Sequence, residues 1–196
     1  MNNKVHFVLD LDQTLISAEN LGTEEQVKGK FKNYNMSDQY IVYERPHLQP
    51  FLDYIFENCI VTVWTAANKN YATSVIKNVL LKDKPERKID FIFFRYHGKI
   101  SEYFTQHSKD LEMFWDKFEM AGYNNKNTLI LDDNEEVYES QKENCIIAPE
   151  FNALQDESKG DNFLKNLLPK IKTMVSEVGK GKDIKLMVKK INEKIK

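Results

Sequence analysis

The chain has 196 residues, enough for one domain with a proper hydrophobic core, and its apolar and charged fractions are those of a soluble globular protein. A net charge of -2 gives no reason to expect nucleic acid or an anionic membrane surface as the main partner. Its two cysteines each lie beside an apolar run, so buried free thiols are expected rather than a disulfide framework. No apolar run approaches about eighteen residues and no signal-peptide pattern is seen, so we expect an intracellular protein, nuclear or cytoplasmic, that is not secreted.

The first predicted strand leads into a pair of aspartates, in the stretch VHFVLDLDQTL at 5–15. Asp10 and Asp12 are two residues apart, and alternate side chains of an extended chain point the same way, so both carboxylates would share one face. Carboxylates held this closely repel each other unless a cation or a proton lies between them. An aspartate pair after a strand is also a common turn signal, but the pattern DxDxT directly after a buried strand is more specific.

Four further apolar runs are typical of buried strands. The first of them ends in Thr65, and the third is followed directly by Asp132 and Asp133. The Phe-rich run at 90–96, the third strand of the chain, is expected to be central or next to central in the sheet. The runs are CIVTVWT at 59–65, DFIFFRY at 90–96, TLIL at 128–131 and CIIA at 145–148.

The segments between the strands follow helical spacing, apart from a polar insertion at about 17–44, which predicts a hairpin or irregular structure, and a loop at 97–106. Asp161 is expected to cap a helix in which Pro169 produces a kink or starts a new helix. The Lys-rich end of the chain predicts an amphipathic helix, read either as a partly solvated tail or as a partner or membrane site. Helices are predicted at about 47–56, 68–81, 109–121, around 137–138, at 161–178 and at 183–195.

This alternation of strands and helices predicts an α/β fold: a doubly wound, mostly parallel five-stranded sheet with helices on both faces and no large cap domain. We expect one domain at 1–178 and a basic helical tail at 179–196. Ligands of such sheets bind outside the carboxyl ends of the strands. Polar residues that end the most apolar runs would gather there, although each could also be an ordinary loop residue: Asp10, Asp12, Thr65, Asp132 and Asp133.

Three carboxylates at neighbouring strand ends suit Mg²⁺, which prefers oxygen ligands. Asp10 and Asp132 are the expected carboxylate ligands, while Asp133 would hold either a metal-bound water or a nearby lysine. One oxygen of Asp10 would then be free to attack phosphorus, because carboxylates serve as nucleophiles that form an acyl phosphate. The hydroxyl of Thr65 and a lysine would bind the phosphate oxygens. Lys109 is the preferred lysine, because its predicted position at a helix N-terminus also offers free backbone N–H groups.

Five ordered motifs resemble those of a known enzyme family. The DxDx[TV] pattern, a Thr after the second strand, a Lys and a final acidic pair are typical of the haloacid dehalogenase (HAD) superfamily of aspartate-nucleophile phosphohydrolases. The sequence is more closely similar to the FCP/SCP group, the NLI-interacting-factor-like phosphatases of the RNA polymerase II C-terminal domain, over roughly residues 4–175. The motifs are DLDQTL at 10–15, RPHLQPFL at 45–52, VWTAA at 63–67, SKDL at 108–111 and ILDDNEE at 130–136.

The resemblance implies a role for each matched residue. Asp10 resembles the nucleophile, Asp12 the general acid and base, and Thr65 and Lys109 the phosphate-binding residues. It further implies Mg²⁺ ligands and supporting residues, which are the Asp10 carboxylate, the Asp12 backbone carbonyl, Asp132, and, in support, Asp133 and Thr14.

The expected substrate is phosphoserine or phosphothreonine in a protein, with the polymerase C-terminal tail as the family's example. The insertion at 17–44 is shorter than the family pattern, and a BRCT-like domain is not found. Two alternatives are a HAD phosphohydrolase of small molecules or nucleic-acid ends, and an inactive phosphoprotein-binding scaffold. A receiver domain is disfavoured because its acidic pair precedes its acceptor aspartate, the reverse of the order seen here.

Overall fold

A computed structural model describes residues 4–35 and 40–195, and a parallel sheet lies at its centre. Five strands pair in the order β6-β5-β1-β7-β8, and every pairing is parallel. The other three strands form a separate antiparallel sheet in the order β2-β4-β3. The strands are β1 His6–Leu9, β2 Ile16–Asn20, β3 Asn33–Asn35, β4 Tyr40–Glu44, β5 Ile60–Trp64, β6 Ile89–Phe93, β7 Thr128–Asp132 and β8 Cys145–Ile147.

Helices cover both faces of the parallel sheet, so the predicted fold class is confirmed. Alternate side chains of a strand point to opposite faces, and accordingly Phe7 and Leu9 pack with α2, α3, α6 and α7, whereas Val8 packs with α5 and the π-helical turn. The helices are α1 Glu24–Val27, α2 Leu48–Asn58, α3 Lys69–Val75 with a π-helical extension Ile76–Leu80, α4 Arg95–Thr105, a π-helical turn Met113–Lys117, α5 Glu135–Ser140, a 3-10 turn Asp156–Gly160, α6 Phe163–Gly179 and α7 Lys185–Asn192.

β6 is one of the two edge strands of the sheet, so the prediction that the Phe-rich run is central or next to central was wrong. Its neighbour β5 is buried, but Phe91 is 43% exposed and the remaining β6 side chains are only half-buried or exposed. Phe93 packs its ring against Trp64 and Phe114 at centroid distances of 5.2 and 5.1 Å. The aromatic residues of this run therefore form a one-sided cluster rather than a strand buried on both faces.

Two further predictions between β6 and β7 are corrected by the structure. The segment expected to be a loop is mostly α4, and its buried Ser101 accepts a hydrogen bond from the Asp110 backbone N–H at 3.1 Å. The helix expected to begin at Lys109 is only the turn Met113–Lys117. Lys109 has a φ of 54°, which lies in the left-handed region and cannot belong to a helix start.

The predicted insertion folds as the small sheet of β2, β3 and β4 with the single turn α1. Residues 36–39 of the insertion lie outside the described part of the chain, and so does the start of the alternating segment predicted at 39–44. The small sheet is attached to the body because Val42 is fully buried in the main core. On its other side, Phe31 and Tyr43 pack around Phe151, with Phe31 and Phe151 ring centroids 5.5 Å apart.

α7 packs against β8, the edge strand opposite β6, and α6 packs against α2 and α7. The N-cap residues of α6 and α7 are Asn162 and Ile184, so the cap predicted at Asp161 was wrong by one residue. Asp161 and Asp183 instead accept hydrogen bonds from the first helical N–H groups, those of Phe163 and Lys185, at 2.8 and 2.9 Å. Pro169 lies inside α6 and does not start a new helix. The side chain of Asn192 in α7 donates to the Cys145 carbonyl and accepts from the Ile147 N–H. This contact occupies backbone groups of the edge strand β8.

Both cysteines are buried free thiols, as predicted. Of the helices in the described residues, none combines the length and the apolar character needed to cross a membrane.

Candidate active site

Three carboxylates meet at the carboxyl ends of β1 and β7, which are neighbours in the sheet. Leu9 is paired with Leu131, and the Asp10 backbone N–H donates to the Leu131 carbonyl at 3.1 Å, so the two strands deliver their aspartates side by side. Asp10, Asp132 and Asp133 each offer an oxygen atom, and these atoms all lie within 4.8 Å of one another. The predicted gathering of acidic residues at this edge is therefore present.

Lys109 is the lysine that the structure brings to this cluster. Its Nζ donates to Asp10 Oδ1 at 2.5 Å and to Asp132 Oδ2 at 2.8 Å, and the residue is only 7% exposed. Burial lowers the pKa of the ammonium group, but the two carboxylates outweigh burial and raise that pKa above its ordinary value. Gln141 holds the lysine's backbone in place, because its Nε2 donates to the Lys109 carbonyl at 2.9 Å.

Burial raises the pKa of both members of the acidic pair at the end of β7. For Asp132 burial and the neighbouring Asp10 raise the pKa, and for Asp133 burial is the main cause of a raised pKa. One lysine supplies a single positive charge to three carboxylates, which leaves an excess of negative charge in a buried site. A set of hard oxygen donors with excess negative charge fits a divalent cation such as Mg²⁺.

Asp12 lies apart from this cluster and contacts Tyr71, a residue whose role the sequence did not reveal. The Tyr71 hydroxyl donates a hydrogen bond to Asp12 Oδ1. Burial raises the pKa of Asp12 to about 6, although the bond from Tyr71 acts to lower it. A carboxyl group with this pKa exchanges a proton readily near neutral pH. Tyr71 fits the helical spacing predicted at 68–81, and such spacing does not reveal the contacts of a phenol hydroxyl.

The two threonines take different positions in the site. Thr65 ends β5, is 1% exposed, and its Oγ1 accepts from the Ala67 backbone N–H at 3.1 Å, which leaves the hydroxyl hydrogen available for another acceptor. Thr14 is also buried, and its Oγ1 donates to Asp133 Oδ1 at 2.8 Å. Thr14 therefore orients the second member of the acidic pair.

A buried arginine fastens the loop between β1 and β2. Arg45 is 1% exposed, and its Nη1 donates to the Thr14 carbonyl at 2.8 Å. Its Nε and Nη2 both donate to Asp161 Oδ2, at 3.0 and 2.7 Å. The helical spacing predicted at 47–56 gives no sign of this contact, and the place of Arg45 in RPHLQPFL was the available signal for a role.

Comparison with solved structures identifies the fold of this chain. The chain is similar to Fcp1, described as an essential RNA polymerase II CTD phosphatase, with a TM-score of 0.70 and 15% identity over 98% of this chain and 72% of that one. It is also similar to fission yeast Fcp1 bound to beryllium fluoride, with a TM-score of 0.56 and 17% identity over 89% of this chain and 51% of that one. At these identities the likeness shows the fold, which is HAD-like.

The sequence comparisons then show the family. The chain belongs to the NLI interacting factor-like phosphatase family, whose model matches residues 5–184. A CTD phosphatase-like protein of Invertebrate iridescent virus 6 is 41% identical over 168 residues, covering 81% of this chain and 92% of that protein. Its counterpart in Invertebrate iridescent virus 3 is 38% identical and covers 88% and 97%. The predicted resemblance and the predicted enzyme class, a phosphoric monoester hydrolase, are confirmed.

A plant relative is more distant. RNA polymerase II C-terminal domain phosphatase-like 4 of Arabidopsis thaliana is 25% identical, and this chain spans about half its length while matching over 98% of its own.

Proposed function

We propose that this chain is a Mg²⁺-dependent protein serine/threonine phosphatase that forms an aspartyl-phosphate on Asp10. The observation that carries this proposal is the ion-pair network at the ends of β1 and β7, in which Lys109 lies 2.5 Å from Asp10 and 2.8 Å from Asp132. A carboxylate nucleophile, a buried cation and a second carboxylate in direct contact meet the requirement of phosphoryl transfer for positioning and charge neutralisation.

The residues that would hold Mg²⁺ are the carboxylates of Asp10 and Asp132 and the backbone carbonyl of Asp12. Asp133, oriented by Thr14, would hold a water molecule in the metal's shell. When bound, the metal ion supplies positive charge that neutralises the phosphate oxygens and the nucleophile. The chain contributes rigid placement, because Asp132 Oδ1 already accepts from the Asn134 backbone N–H at 2.9 Å.

In the first chemical step, an oxygen of Asp10 attacks phosphorus and the bond between phosphorus and the serine oxygen breaks. Asp12 gives its proton to that serine oxygen, which otherwise leaves as a high-energy alkoxide. The pKa of about 6 supports this role, since a fraction of Asp12 is protonated near neutral pH. The products of the step are a free hydroxyl on the substrate and a phosphorylated Asp10.

In the second step, Asp12 acts as the base. It takes a proton from a water molecule that attacks the phosphorus of phospho-Asp10, and the bond between phosphorus and the Asp10 oxygen breaks to release inorganic phosphate. Each turnover therefore returns Asp12 to its protonated form and Asp10 to its carboxylate form, so no further reactant is needed.

Lys109 and Thr65 would bind the phosphate oxygens during both steps. A lysine ammonium has three donors, and the structure uses two of them on carboxylates, so one donor remains for a phosphate oxygen. The Thr65 hydroxyl hydrogen is available because its oxygen accepts from Ala67. Preorganised donors of this kind stabilise the charge that develops in the transition state.

The substrate proposal rests on the open site and on the relatives. No large cap domain occurs in the described residues, so an extended polypeptide can reach the aspartates. Because the named relatives include phosphatases of the RNA polymerase II C-terminal domain, peptides from that tail are the first substrates to test.

The experiment is turnover of a panel of phosphoserine and phosphothreonine peptides, including polymerase tail repeats, beside an aryl phosphate and small phosphate esters. We expect peptide turnover that disappears with chelator, returns with Mg²⁺ and is absent in Asp10→Asn. Full activity in chelator would contradict the metal role. Turnover of the small esters without any turnover of peptides would contradict the proposed protein phosphatase activity.

A further inference from the structure

A basic groove lies next to the active site, on the β6 side. Its volume is about 500 Å³. It lies at the carboxyl ends of β5 and β6, between the start of α3 and the start of α4. The residues that line it include three exposed basic side chains and an exposed tyrosine, and none of the lining residues is acidic: Asn68, Lys69, Phe94, Arg95, Tyr96, His97 and Lys99.

Backbone hydrogen bonds join the segment that carries Thr65 to the segment that lines the groove. The Thr65 N–H donates to the Phe93 carbonyl at 3.0 Å, and the Arg95 N–H donates to the Ala67 carbonyl at 2.9 Å. The Arg95 side chain donates from Nε to the Ala66 carbonyl at 2.9 Å. A substrate residue whose phosphate reaches Thr65 therefore has the groove as its immediate neighbour.

The charge of the groove is not a consequence of overall composition, because the chain has a net charge of -2. Within 4–35 and 40–195, Lys69 and Lys99 form no ion pair with a carboxylate, so their charges are available to a ligand. The cleft on the other side of the Lys109 loop has the opposite character, since its lining includes Glu102, Glu136 and Glu139. A bound anion is attracted to the first of these surfaces and repelled by the second.

We propose that this groove binds a second phosphorylated residue of the same substrate chain, so that the enzyme prefers multiply phosphorylated segments. The inference rests on the proposed protein phosphatase activity and narrows its substrate class. A phosphate dianion places about two negative charges on one residue, where they can complement Lys69, Arg95 and Lys99 together. Carboxylates on successive residues would be spread out, because an extended peptide advances about 3.3–3.6 Å per residue. The exposed Tyr96 ring provides apolar surface for the peptide beside that phosphate.

The test uses peptides with one hydrolysable phosphoserine and a second position two to five residues away on either side. The second position carries serine, aspartate or a non-hydrolysable phosphonate analogue of phosphoserine, so all released phosphate comes from one residue. The quantity measured is the ratio of kcat/KM for the phosphonate peptide to that for the serine peptide. We expect a ratio of about ten for at least one spacing, which falls as salt is raised because exposed charges are screened.

The variant Lys69→Glu/Lys99→Glu should reduce this ratio to about one or less. Both side chains are exposed, and an unchanged melting temperature would show that the fold is retained. The matched control is Lys190→Glu, an exposed lysine on α7 at the opposite edge of the sheet, which should leave the ratio unchanged.

A ratio near one for every spacing in the wild-type protein, or a ratio unaffected by the double variant, would overturn the inference while the proposed function stood. An equal preference for the aspartate peptide would overturn the assignment to a phosphate. Absence of turnover for all phosphopeptides would overturn the proposed protein phosphatase and this inference with it.

Discussion

The proposed proton transfer depends on Asp12 and on the hydrogen bond that Tyr71 donates to it. The phenol donates its hydrogen bond to one carboxyl oxygen of Asp12, Oδ1, so the other oxygen is the one that the proposed mechanism requires for proton transfer. Burial makes the protonated form of this carboxyl group accessible by raising its pKa to about 6. In the proposed mechanism, Tyr71 therefore positions Asp12 and takes no part in the chemical step itself.

Tyr71→Phe removes the hydrogen bond and keeps the ring. We expect turnover of a phosphoserine peptide to fall by roughly tenfold to a hundredfold, because a loosely held acid protonates the serine oxygen poorly. Nitrophenyl phosphate, whose leaving group needs little protonation, should lose much less. The comparison of the two substrates in steady-state kinetics checks this, and equal losses on both would show that Tyr71 acts only on the fold.

At the scale of structural elements, the loop that carries the aspartates depends on helices that follow it in the chain. Arg45 precedes α2 and joins the Thr14 carbonyl to Asp161, whose carboxylate accepts from the first helical N–H of α6. The guanidinium group also lies over the Phe163 ring, 4.6 Å from its centroid. This buried ion pair fixes the register between the first strand and the C-terminal helices.

Arg45→Met keeps much of the volume and removes the charge. Because it leaves Asp161 without its partner, we expect the free energy of unfolding to fall by about 3 kcal/mol, the scale of a broken buried ion pair. Urea unfolding measures the change. Lys165→Met, at an exposed position on α6, is the control and should change stability by less than about 0.5 kcal/mol. A loss below about 1 kcal/mol in Arg45→Met would contradict the role given to the ion pair.

The small sheet of β2, β3 and β4 offers a test of peptide recognition. Asn20 pairs with Tyr40 across β2 and β4, so a two-residue Asn-Gly turn can replace the residues between them. We expect the shortened chain to turn over aryl phosphate normally and phosphopeptides more slowly, because we propose that residues 17–44 border the surface that binds the peptide. Equal losses of kcat/KM on both substrates would assign the segment to stability.

For the whole molecule, the strands and their polar ends were predictable because continuous apolar runs followed by aspartate or threonine are local signals. The position of β6 at the edge was not, since DFIFFRY has the composition of a central strand and its one-sided packing depends on Trp64 and Phe114 from elsewhere in the chain. Lys109 was predicted to bind phosphate from a helix N-terminus that does not exist. The lysine reaches the site from a left-handed residue held by Gln141, and such long-range contacts leave no periodic pattern in the sequence.

A buried histidine makes the stability of the whole molecule depend on pH. His6 is 5% exposed and packs against Tyr123, with ring centroids 4.0 Å apart and ring planes tilted by 56°. Burial lowers its pKa from 6.5, against an opposing effect of Asp90, so the unfolded chain takes up a proton at higher pH than the folded one. Its contribution to stability is therefore complete above pH 6.5 and is lost as the pH falls below that value.

We expect this contribution to be at most about 1.4 kcal/mol at pH 5.5, since one pH unit corresponds to that free energy. The raised pKa of Asp12 acts in the opposite direction, because the folded chain then holds its proton more tightly, so the difference between wild type and His6→Phe is the quantity to measure. Urea unfolding at pH 7.5 and 5.5 gives this difference. Identical pH dependence in both proteins would show that His6 does not titrate differently on folding.

The proposed nucleophile can be trapped in a variant that lacks the base of the second step. Asp12→Asn treated with nitrophenyl phosphate should still transfer phosphate to Asp10, because nitrophenolate leaves without a proton, and should then hydrolyse the acyl phosphate slowly. Mass spectrometry of the acid-quenched variant should find a phosphoryl group on Asp10 that hydroxylamine removes, and none in Asp10→Asn/Asp12→Asn. A variant that turns over the ester without accumulating label, or that carries the label on Asp132 or any other residue, would contradict the assignment of Asp10 as the nucleophile.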